Sequence, residues 1–260
     1  MMEILVAAGI VGGVGVAIGL FLGVAAESFK VEVDETEIAV RDLLPGNNCG
    51  GCGYAGCDGL AAAIVKGEAP ACACPVGGQT VAQTIGELLG QEVSVEHKVA
   101  FVRCAGTGTA TKTYYEYTGE MDCRQMMYVP NGGSKSCSYG CTGMGNCVKV
   151  CDYDAIHIVD GVAVVDKDKC KACSMCVREC PKGLIEMVPY EGVHLVACNN
   201  TAKGKLVREV CSQGCIGCML CVKNCEAGAI AVENNLAHID YTKCTNCGIC
   251  VEKCPAKVIQ

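Results

Sequence analysis

The pattern of hydrophobic and polar residues divides the chain into a long apolar stretch, several short periodic stretches and a cysteine-rich remainder. Ile4 to Ala26 is apolar and carries no charge, which is long enough to cross a bilayer as one helix. Farther along, helical and alternating spacings predict shorter elements, separated by an irregular connection over 104–136. Helices are expected within residues 31–44, 58–68 and 80–89, and strands within 93–103 and from Ala155 and Ile156 onward.

The apolar N-terminal stretch predicts a membrane anchor. A secretory signal is the alternative, but no basic residue precedes the stretch and its length exceeds the usual hydrophobic region of a signal. Gly15, Gly19 and Gly23 repeat every four residues, a spacing that lets helices pack closely in lipid. Partner membrane subunits are therefore expected, with a glycine-rich helix that has no partner as the alternative. Two basic residues follow the stretch, which favours a cytoplasmic location for the rest of the chain.

The cysteine content is the most unusual feature of the composition. Cysteine accounts for 25 of the 260 residues, while Trp is absent and Phe occurs three times. The cysteines bunch at two-residue gaps, which favours metal binding over a disulfide scaffold. Zinc ribbons usually use two separated Cys-x2-Cys pairs, whereas here four cysteines fall in one run. Iron–sulfur clusters are the preferred interpretation. Colour separates the alternatives, since an iron–sulfur protein is brown and a zinc protein is colourless.

The run from Cys170 to Pro181 has gaps of two, two and three residues, with a proline after its last cysteine. This is the spacing of bacterial ferredoxins, in which three thiolates hold one cluster and the fourth ligates another. The spacing recurs from Cys244 to Pro255 and, without the proline, from Cys215 to Cys225. A variant with gaps of three, five and three residues runs from Cys137 to Cys151.

Crossed pairing of these runs predicts four [4Fe–4S] clusters. Each cluster takes three cysteines from one run and the last cysteine of the partner run. The predicted ligands are Cys137, Cys141, Cys147 and Cys180 for cluster 2; Cys151, Cys170, Cys173 and Cys176 for cluster 3; Cys215, Cys218, Cys221 and Cys254 for cluster 4; and Cys225, Cys244, Cys247 and Cys250 for cluster 5.

A fifth site, cluster 1, precedes these runs. Three of its cysteines lie in a glycine-rich loop that is flexible enough to wrap a cluster. A helix with Asp58 as its expected cap then returns the chain to the fourth cysteine, which is followed by Pro75. Cys72 is expected to be a bystander. The predicted ligands are Cys49, Cys52, Cys57 and Cys74.

Four further cysteines have no ligand spacing. Cys104 and Cys123 are interpreted as structural thiols, and Cys198 and Cys211 as extra thiols. A sixth cluster built from these four is an alternative that rests on their number alone, and five clusters are preferred. Residues 194–198 echo residues 100–104, which indicates that a duplication includes a strand ahead of each ferredoxin-like unit.

The predicted fold class is α+β, with a single N-terminal transmembrane helix, a small helical [4Fe–4S] domain and two tandem bacterial 2[4Fe–4S] ferredoxin-like units. The expected domains follow the motifs along the chain. They are 1–28 for the transmembrane anchor, 29–90 for the [4Fe–4S] domain, 91–136 for a strand and connecting segment, 137–197 for ferredoxin-like unit 1 and 198–260 for ferredoxin-like unit 2.

Charge and missing motifs narrow the function. The formal net charge is −7, yet residues 198–260 hold seven Lys or Arg and five Asp or Glu, so a weakly basic surface there can steer an acidic redox partner. The sequence has no dinucleotide fingerprint, phosphate loop or zinc-protease motif, and its four histidines are scattered. We expect no catalytic residue or substrate site in this chain and no nucleic-acid partner, because the clusters carry the chemistry.

The order of these parts resembles the B subunit of the Rnf complex, a membrane-bound ferredoxin:NAD oxidoreductase that moves Na⁺ or H⁺. The resemblance covers the whole chain. It rests on the apolar stretch, the cluster 1 cysteines with Pro75, residues 99–104 and the start of the run at Cys137. The second ferredoxin-like unit indicates the longer form of the subunit. Asp152 and Glu226 depart from the usual proline after the last cysteine of a run, a change that leaves the ligands in place and alters the turn that follows them.

The resemblance implies a relay of electrons. Soluble ferredoxin would deliver electrons to the distal clusters, and cluster 1 would pass them to membrane subunits and eventually to flavin and nicotinamide. The implied partners are soluble ferredoxin, other subunits of the complex and membrane lipid, at the cell membrane with the cluster-bearing part on the cytoplasmic side. Alternatives are a polyferredoxin subunit of another membrane hydrogenase or dehydrogenase and an iron–sulfur redox sensor. The choice between Na⁺ and H⁺ stays open.

Overall fold

The computed structural model describes residues 2–28, 34–93, 97–191 and 194–260, with side chains described from residue 12 onward and not for 26–28. Helix α1 spans Met2–Ser28. Its described side chains are apolar and mostly exposed, and five of the fourteen residues at positions 12–25 are glycine. This helix is the observed counterpart of the predicted anchor.

The predicted transmembrane helix is corrected by the structure. In the described part of the chain, no helix has both the length and the apolar character that a membrane span requires. The fold class is therefore α+β with ferredoxin-like units and without an assigned span.

Three short helices form the domain that follows, and they confirm the predicted helical stretches: α2 (Glu35–Leu43), α3 (Cys57–Val65) and α4 (Gly78–Leu89). Asp34 caps α2 by accepting from the Thr36 N–H at 2.9 Å. The expected Asp58 cap of α3 is wrong, because the helix begins at Cys57 after Gly56 and Asp58 pairs with Arg41 of α2 instead. The buried residues that join the helices are Val40, Leu60, Ile64 and Ile85.

The first ferredoxin-like unit is built from two antiparallel strand pairs and two short helices. The strand β1 (Lys98–Val102) confirms the predicted strand, of which residues 94–96 lie outside the described chain. Two 3₁₀ turns at Gln125–Tyr128 and Pro130–Gly132 interrupt the connection that follows, which is otherwise irregular as predicted. The remaining elements are α5 (Asn146–Lys149), β2 (Ile156–Val159), β3 (Val162–Val165), α6 (Met175–Glu179) and β4 (Ile185–Pro189), with β1 paired to β4 and β2 paired to β3.

The second unit repeats this architecture. Helix α7 (Gly204–Val210) fills the place of the longer connection in the first unit. It is followed by α8 (Leu220–Lys223), the antiparallel pair β5 (Ile230–Glu233) and β6 (Leu236–Ile239), and α9 (Ile249–Lys253).

The two units share the same strand register. Val102 pairs with Ile185 in the first unit, and Val196 pairs with Ile259 in the second. Residues of the first unit from 137 onward recur 74 positions later, so that Ile185 corresponds to Ile259. Each unit thus includes the strand ahead of its first cysteine run, as the duplication predicted. The domain boundaries given above stay predictions.

Gly143 marks the turn that wraps the cysteines of the first unit. Its φ is +77°, and an added Cβ would lie 2.6 Å from the carbonyl oxygen of Gly161. The equivalent Gly217 has φ +65°, and a Cβ added there would lie 2.9 Å from the carbonyl oxygen of Asn235. The backbone of the following hairpin therefore approaches both turns too closely for a side chain.

We predict that Gly143→Ala lowers the stability of the holo-protein by about 2–3 kcal/mol, since backbone strain and a backbone contact add. The measurement is the midpoint of anaerobic guanidinium unfolding followed by circular dichroism. Gly183→Ala is the matched control, because Gly183 has φ +59° with open space around it and its equivalent in the second unit is Lys257 at φ +48°. Equal midpoints for the two variants would contradict the prediction.

Candidate iron–sulfur centres

The 25 cysteines are all free thiols, and they collect at the cores of the domains. Within the described residues, no group of three or more Cys, His, Asp or Glu is arranged to hold a single metal ion. A cluster spreads its ligands around a larger iron–sulfide core, so its ligands are better identified by the cavity they line and the N–H groups that face them.

The helical domain brings the cluster 1 cysteines to the start of α3. Burial raises the pKa of Cys74, and the nearby Cys52 and Cys57 add to the rise. The Cys74 sulfur accepts an N–H bond from Gly77 at 3.4 Å. The N–H of Cys57, the first residue of α3, donates to Asn48 Oδ1 at 2.8 Å, which fixes the glycine-rich loop against the helix.

The cluster 3 cysteines surround the start of α6. Burial raises the pKa of Cys176 to about 12, and Cys170, Cys173 and Cys151 add to the rise in that order. Cys170 also accepts an N–H bond from Ala100 of β1 at 3.5 Å. The four sulfurs expected for cluster 3 therefore lie close to one another.

The loop of cluster 1 packs on the loop of cluster 3. A Cβ at Gly51 would lie 2.9 Å from the carbonyl oxygen of Cys173, so only glycine allows this approach. The Arg178 guanidinium donates to the Gly50 carbonyl at 3.3 Å. This contact brings the helical domain's ligands next to those of the first unit.

The second unit gathers its cysteines in the same way. The ligands predicted for cluster 4 line one small cavity between α8 and the C-terminal residues: Cys215, Cys218, Cys221 and Cys254. For cluster 5, Cys244 and Cys247 both raise the pKa of Cys250, after burial, which is the larger cause. Cys225 packs against the same core. Cys218 and Cys247 are exposed, whereas most other cysteines are buried or half-buried.

Cluster 2 is the site where the structure departs from the predicted ligands. Cys123 lines the small cavity at α5 where Cys137 was expected, and Cys137 lines a separate cavity. The Thr142 hydroxyl contacts the Cys123 sulfur at 3.5 Å, and the Cys123 N–H donates to Asn146 Oδ1 at 2.8 Å. The cysteines around this cavity are Cys123, Cys141, Cys147 and Cys180.

The 74-residue repeat explains why spacing alone missed Cys123. Cys141 and Cys147 correspond to Cys215 and Cys221, but the position of Cys218 is occupied by Met144 in the first unit. The connection ahead of the first unit is 20 residues longer than its counterpart, and its Cys123 lines the cavity that Cys141 and Cys147 also line. Burial raises the pKa of Cys147 to about 12, with Cys141 and Cys123 as the next causes.

A further small cavity lies between the two ferredoxin-like units. Its cysteines come from both units and from the strands ahead of them. Lys135 and Asn200 also line it. The cysteines are Cys104, Cys137, Cys198 and Cys211.

The donor sets fit iron–sulfur clusters. Thiolates are the usual ligands of such clusters, and N–H bonds to the sulfurs stabilise the thiolate form. Burial raises the pKa of the Cys198 thiol to about 11, so this thiol holds its proton at neutral pH and cluster binding must release it. Lys182 is half-buried and donates to the carbonyls of Ser138 and Gly140 at 2.8 and 3.0 Å. Its ammonium faces several of the cysteines and offsets their negative charge.

Comparisons with known proteins show iron–sulfur domains over three segments of the chain. The FeS family model for an Fe–S cluster matches residues 44–76, a 4Fe-4S binding domain matches residues 163–186, and a 4Fe-4S dicluster domain matches residues 214–258. The chain is 49% identical to the B subunit of the Na(+)-translocating ferredoxin:NAD(+) oxidoreductase complex of Acetobacterium woodii, over 98% of this chain and 77% of the relative.

The chain belongs to the family of B subunits of ion-translocating ferredoxin:NAD(+) oxidoreductase complexes. It is 44% identical to the B subunit of the ion-translocating oxidoreductase complex of Methanosarcina acetivorans, over 96% of both chains. It is also 39% identical to the B subunit of the proton-translocating ferredoxin:NAD(+) oxidoreductase complex of Clostridium ljungdahlii, over 95% of this chain and 88% of the relative. These B subunits are the relatives that the sequence resemblance predicted.

We predict that Cys74→Ala removes one [4Fe–4S] cluster from the purified protein, whereas Cys72→Ala removes none. Cys74 lies beside Cys52 and Cys57 with an N–H donor on its sulfur, while Cys72 is outside the core that those cysteines share. Iron and acid-labile sulfide per chain measure the difference. Loss of iron in the Cys72 variant would overturn the assignment.

Proposed function

We propose that this chain, an electron-transfer subunit of an ion-translocating ferredoxin:NAD(+) oxidoreductase, relays single electrons between soluble ferredoxin and the membrane redox subunits. Each [4Fe–4S] cluster, when bound, takes up and gives back one electron. The chain itself supplies the ligands, the order in which they lie and the shielding from water. One observation carries the proposal, namely that the ligand sets form a row of neighbours along the molecule.

The row begins at the helical domain. Gly51 touches the carbonyl of Cys173, so the ligands of cluster 1 lie beside those of cluster 3. The ligands of clusters 3 and 2 share one buried core, to which both Cys176 and Cys147 belong. Cys215 and Cys250 likewise share the core of the second unit. Within each of these groups an electron that reaches one ligand set can pass to its neighbour, and the two units meet at the cavity lined by Cys104, Cys137, Cys198 and Cys211.

We propose five [4Fe–4S] clusters on the ligands that the sequence predicts, with one substitution. Cys123 takes the place of Cys137 in cluster 2, because it lines the cavity with the other three cysteines. The ligands of cluster 2 are then Cys123, Cys141, Cys147 and Cys180, and those of clusters 1, 3, 4 and 5 are unchanged.

The second unit is the proposed docking end for ferredoxin. In the first unit, Cys173 is covered by the loop that contains Gly51. Its equivalent, Cys247, is exposed, and so is Cys218 on the neighbouring ligand set. The second unit also has the more basic sequence, with exposed Lys253 just before the last cysteine of its last run and exposed Lys257 after it. An acidic ferredoxin would be steered to this end.

The opposite end of the row is the proposed exit. Ion translocation requires two compartments and therefore a membrane, so the complex would lie at the cell membrane with this chain's cluster-bearing part on the cytoplasmic side. Cluster 1 would face the membrane redox subunits, because the ligands at the far end face ferredoxin. The chain holds no proposed site for nicotinamide or flavin, which other subunits of the complex would carry.

In the assembled complex, we predict that Cys74→Ala reduces ferredoxin-dependent NAD⁺ reduction to background. Loss of a cluster ligand at the exit end interrupts the row, while the other ligand sets stay intact. NADH formation at 340 nm with reduced ferredoxin measures the effect, and Cys72→Ala in the same complex is the control. Full activity of the Cys74 variant would exclude this route.

We predict that Lys253→Glu with Lys257→Glu slows reduction of the purified chain by ferredoxin about 3- to 10-fold at low ionic strength, because steering depends on the surface charge. The difference should shrink at high salt, where the Debye length falls to a few ångströms. Stopped-flow absorbance gives the second-order rate. Lys66→Glu, at an exposed position of the helical domain, changes the charge by −2 against −4 for the pair and should have little effect. An effect of Lys66→Glu about half as large as that of the pair, on a logarithmic scale, would exclude a specific docking end.

A further inference from the structure

The cavity between the two ferredoxin-like units contains four cysteines that no ligand set above uses. Two of them, Cys104 and Cys198, end the strands ahead of the units. The other two, Cys137 and Cys211, open the first cysteine run of each unit. We propose that Cys104, Cys137, Cys198 and Cys211 bind a sixth [4Fe–4S] cluster, held between the two units.

The sulfurs in this cavity are already faced by N–H groups. Cys104 accepts from Gly106 at 3.4 Å and from Cys141 at 3.3 Å. Cys198 accepts from the backbone of Asn200 at 3.4 Å and from Cys215 at 3.4 Å. Such N–H groups stabilise a thiolate ligand far more than a neutral thiol, which is a weak acceptor.

The sulfurs of Cys137 and Cys211 also have N–H donors. The Asn200 side-chain amide donates to Cys137 at 3.5 Å, and the N–H of Gln213 opposes the rise in the pKa of Cys211 that burial causes. Lys135, a second lining residue, donates to the carbonyls of Gly106 and Gly161 at 2.8 and 2.7 Å. Its ammonium brings positive charge to the edge of the cavity.

The two repeats contribute equivalent cysteines to the cavity, as the duplication implies. Cys137 recurs 74 positions later as Cys211. Cys104 and Cys198 adopt the same local conformation. The backbone N–H of each donates to the carbonyl two residues before it, at 2.8 Å for Cys104 and 2.9 Å for Cys198. The sulfur of each accepts from the N–H of the residue two positions after it. Ala105 donates to Ala197 at 2.9 Å and joins the two halves. Each repeat therefore contributes an equivalent pair of ligands.

A structural role for four free thiols explains less of this arrangement. A small hydrophobe would serve a packed core as well as cysteine does, and it would need neither N–H donors nor a nearby ammonium. A disulfide is absent, since all four cysteines are free. In the proposed site, the four thiols lose four protons and bind a [4Fe–4S]²⁺ core through four thiolates, which leaves a net charge of −2 on the site.

The sixth cluster would close the gap between the units. The N–H of Cys141, a cluster 2 ligand, is bonded to the sulfur of Cys104. The N–H of Cys215, a cluster 4 ligand, is bonded to the sulfur of Cys198. The site thus touches the ligands of the first unit on one side and those of the second unit on the other. This consequence rests on the proposed relay, whereas the existence of the site does not.

Cysteine number supplies a check on the assignment. Six sets of four ligands use 24 of the 25 cysteines. The one that is left is Cys72, which the sequence interpretation had already set aside. With five clusters, five cysteines would have no ligand role.

The test is the cluster content of the full chain, purified anaerobically. Iron and sulfide analysis, with native mass spectrometry to count intact clusters, should give about 24 iron and 24 sulfide per chain, against about 20 for five clusters. A wild-type protein that holds five clusters after anaerobic reconstitution with excess iron and sulfide would overturn the proposal. The relay would survive that result, so the two failures are distinguishable.

Variants locate the sixth cluster. Cys211→Ser should lose one cluster, Cys104→Ser with Cys211→Ser should still lose only one, and Cys123→Ser with Cys211→Ser should lose two. Cys72→Ser is the matched control and should keep all six. Five clusters in the wild type, with loss of one in Cys137→Ser and none in Cys211→Ser, would restore Cys137 to cluster 2 and exclude the site.

Thiol labelling gives a readout that does not depend on folding of a variant. Cys104 and Cys123 are only half-buried, so either would react with iodoacetamide if it were free. Peptide mapping of the labelled wild-type holo-protein should show Cys72 as the modified residue and both of these cysteines protected. Modification of Cys104 in a protein that carries its full iron content would contradict the proposal.

Discussion

The structure depends on the constraint that cysteine sulfurs must be kept from water and still be matched by hydrogen-bond donors. The chain has no Trp and three Phe, and cysteines take part in the buried cores of both ferredoxin-like units. Short helices and tight turns direct backbone N–H groups at these sulfurs, as Gly77 does at Cys74 and Gly106 at Cys104. Because the cores are built around ligands, cluster binding and folding are coupled.

Duplication explains both the regularity of the molecule and its exceptions. The two units share their strand register and their turn glycines, yet the first has Met144 at the position of Cys218, and Cys123 of the longer connection lines the cavity there. The first unit is also covered by the loop at Gly51, while the corresponding face of the second unit leaves Cys247 exposed. One architecture therefore presents a buried contact at one end and an accessible surface at the other.

Local sequence signals predicted the elements well. The helix predicted over 80–89 is observed as α4, and the strand predicted within 93–103 is observed as β1. The connection over 104–136, which was predicted to be irregular, is largely so in the structure. The signals failed where a residue's partner is distant in sequence. Asp58 does not cap α3, because Arg41 of the neighbouring helix pairs with it. The predicted membrane span is wrong for the described residues, since no described helix meets the requirements of a span.

The sequence by itself determined the class of chemistry of the chain, because cysteine spacing specifies iron–sulfur binding. The crossed pairing of the runs stays a prediction. Tertiary structure decided which sulfurs share a cavity. Cys123 reaches α5 only because the connection folds back on the first unit, and Cys137 meets Cys211 only where the two repeats pack together. Spacing records neither event, because a cavity between folded units is defined by distances in space.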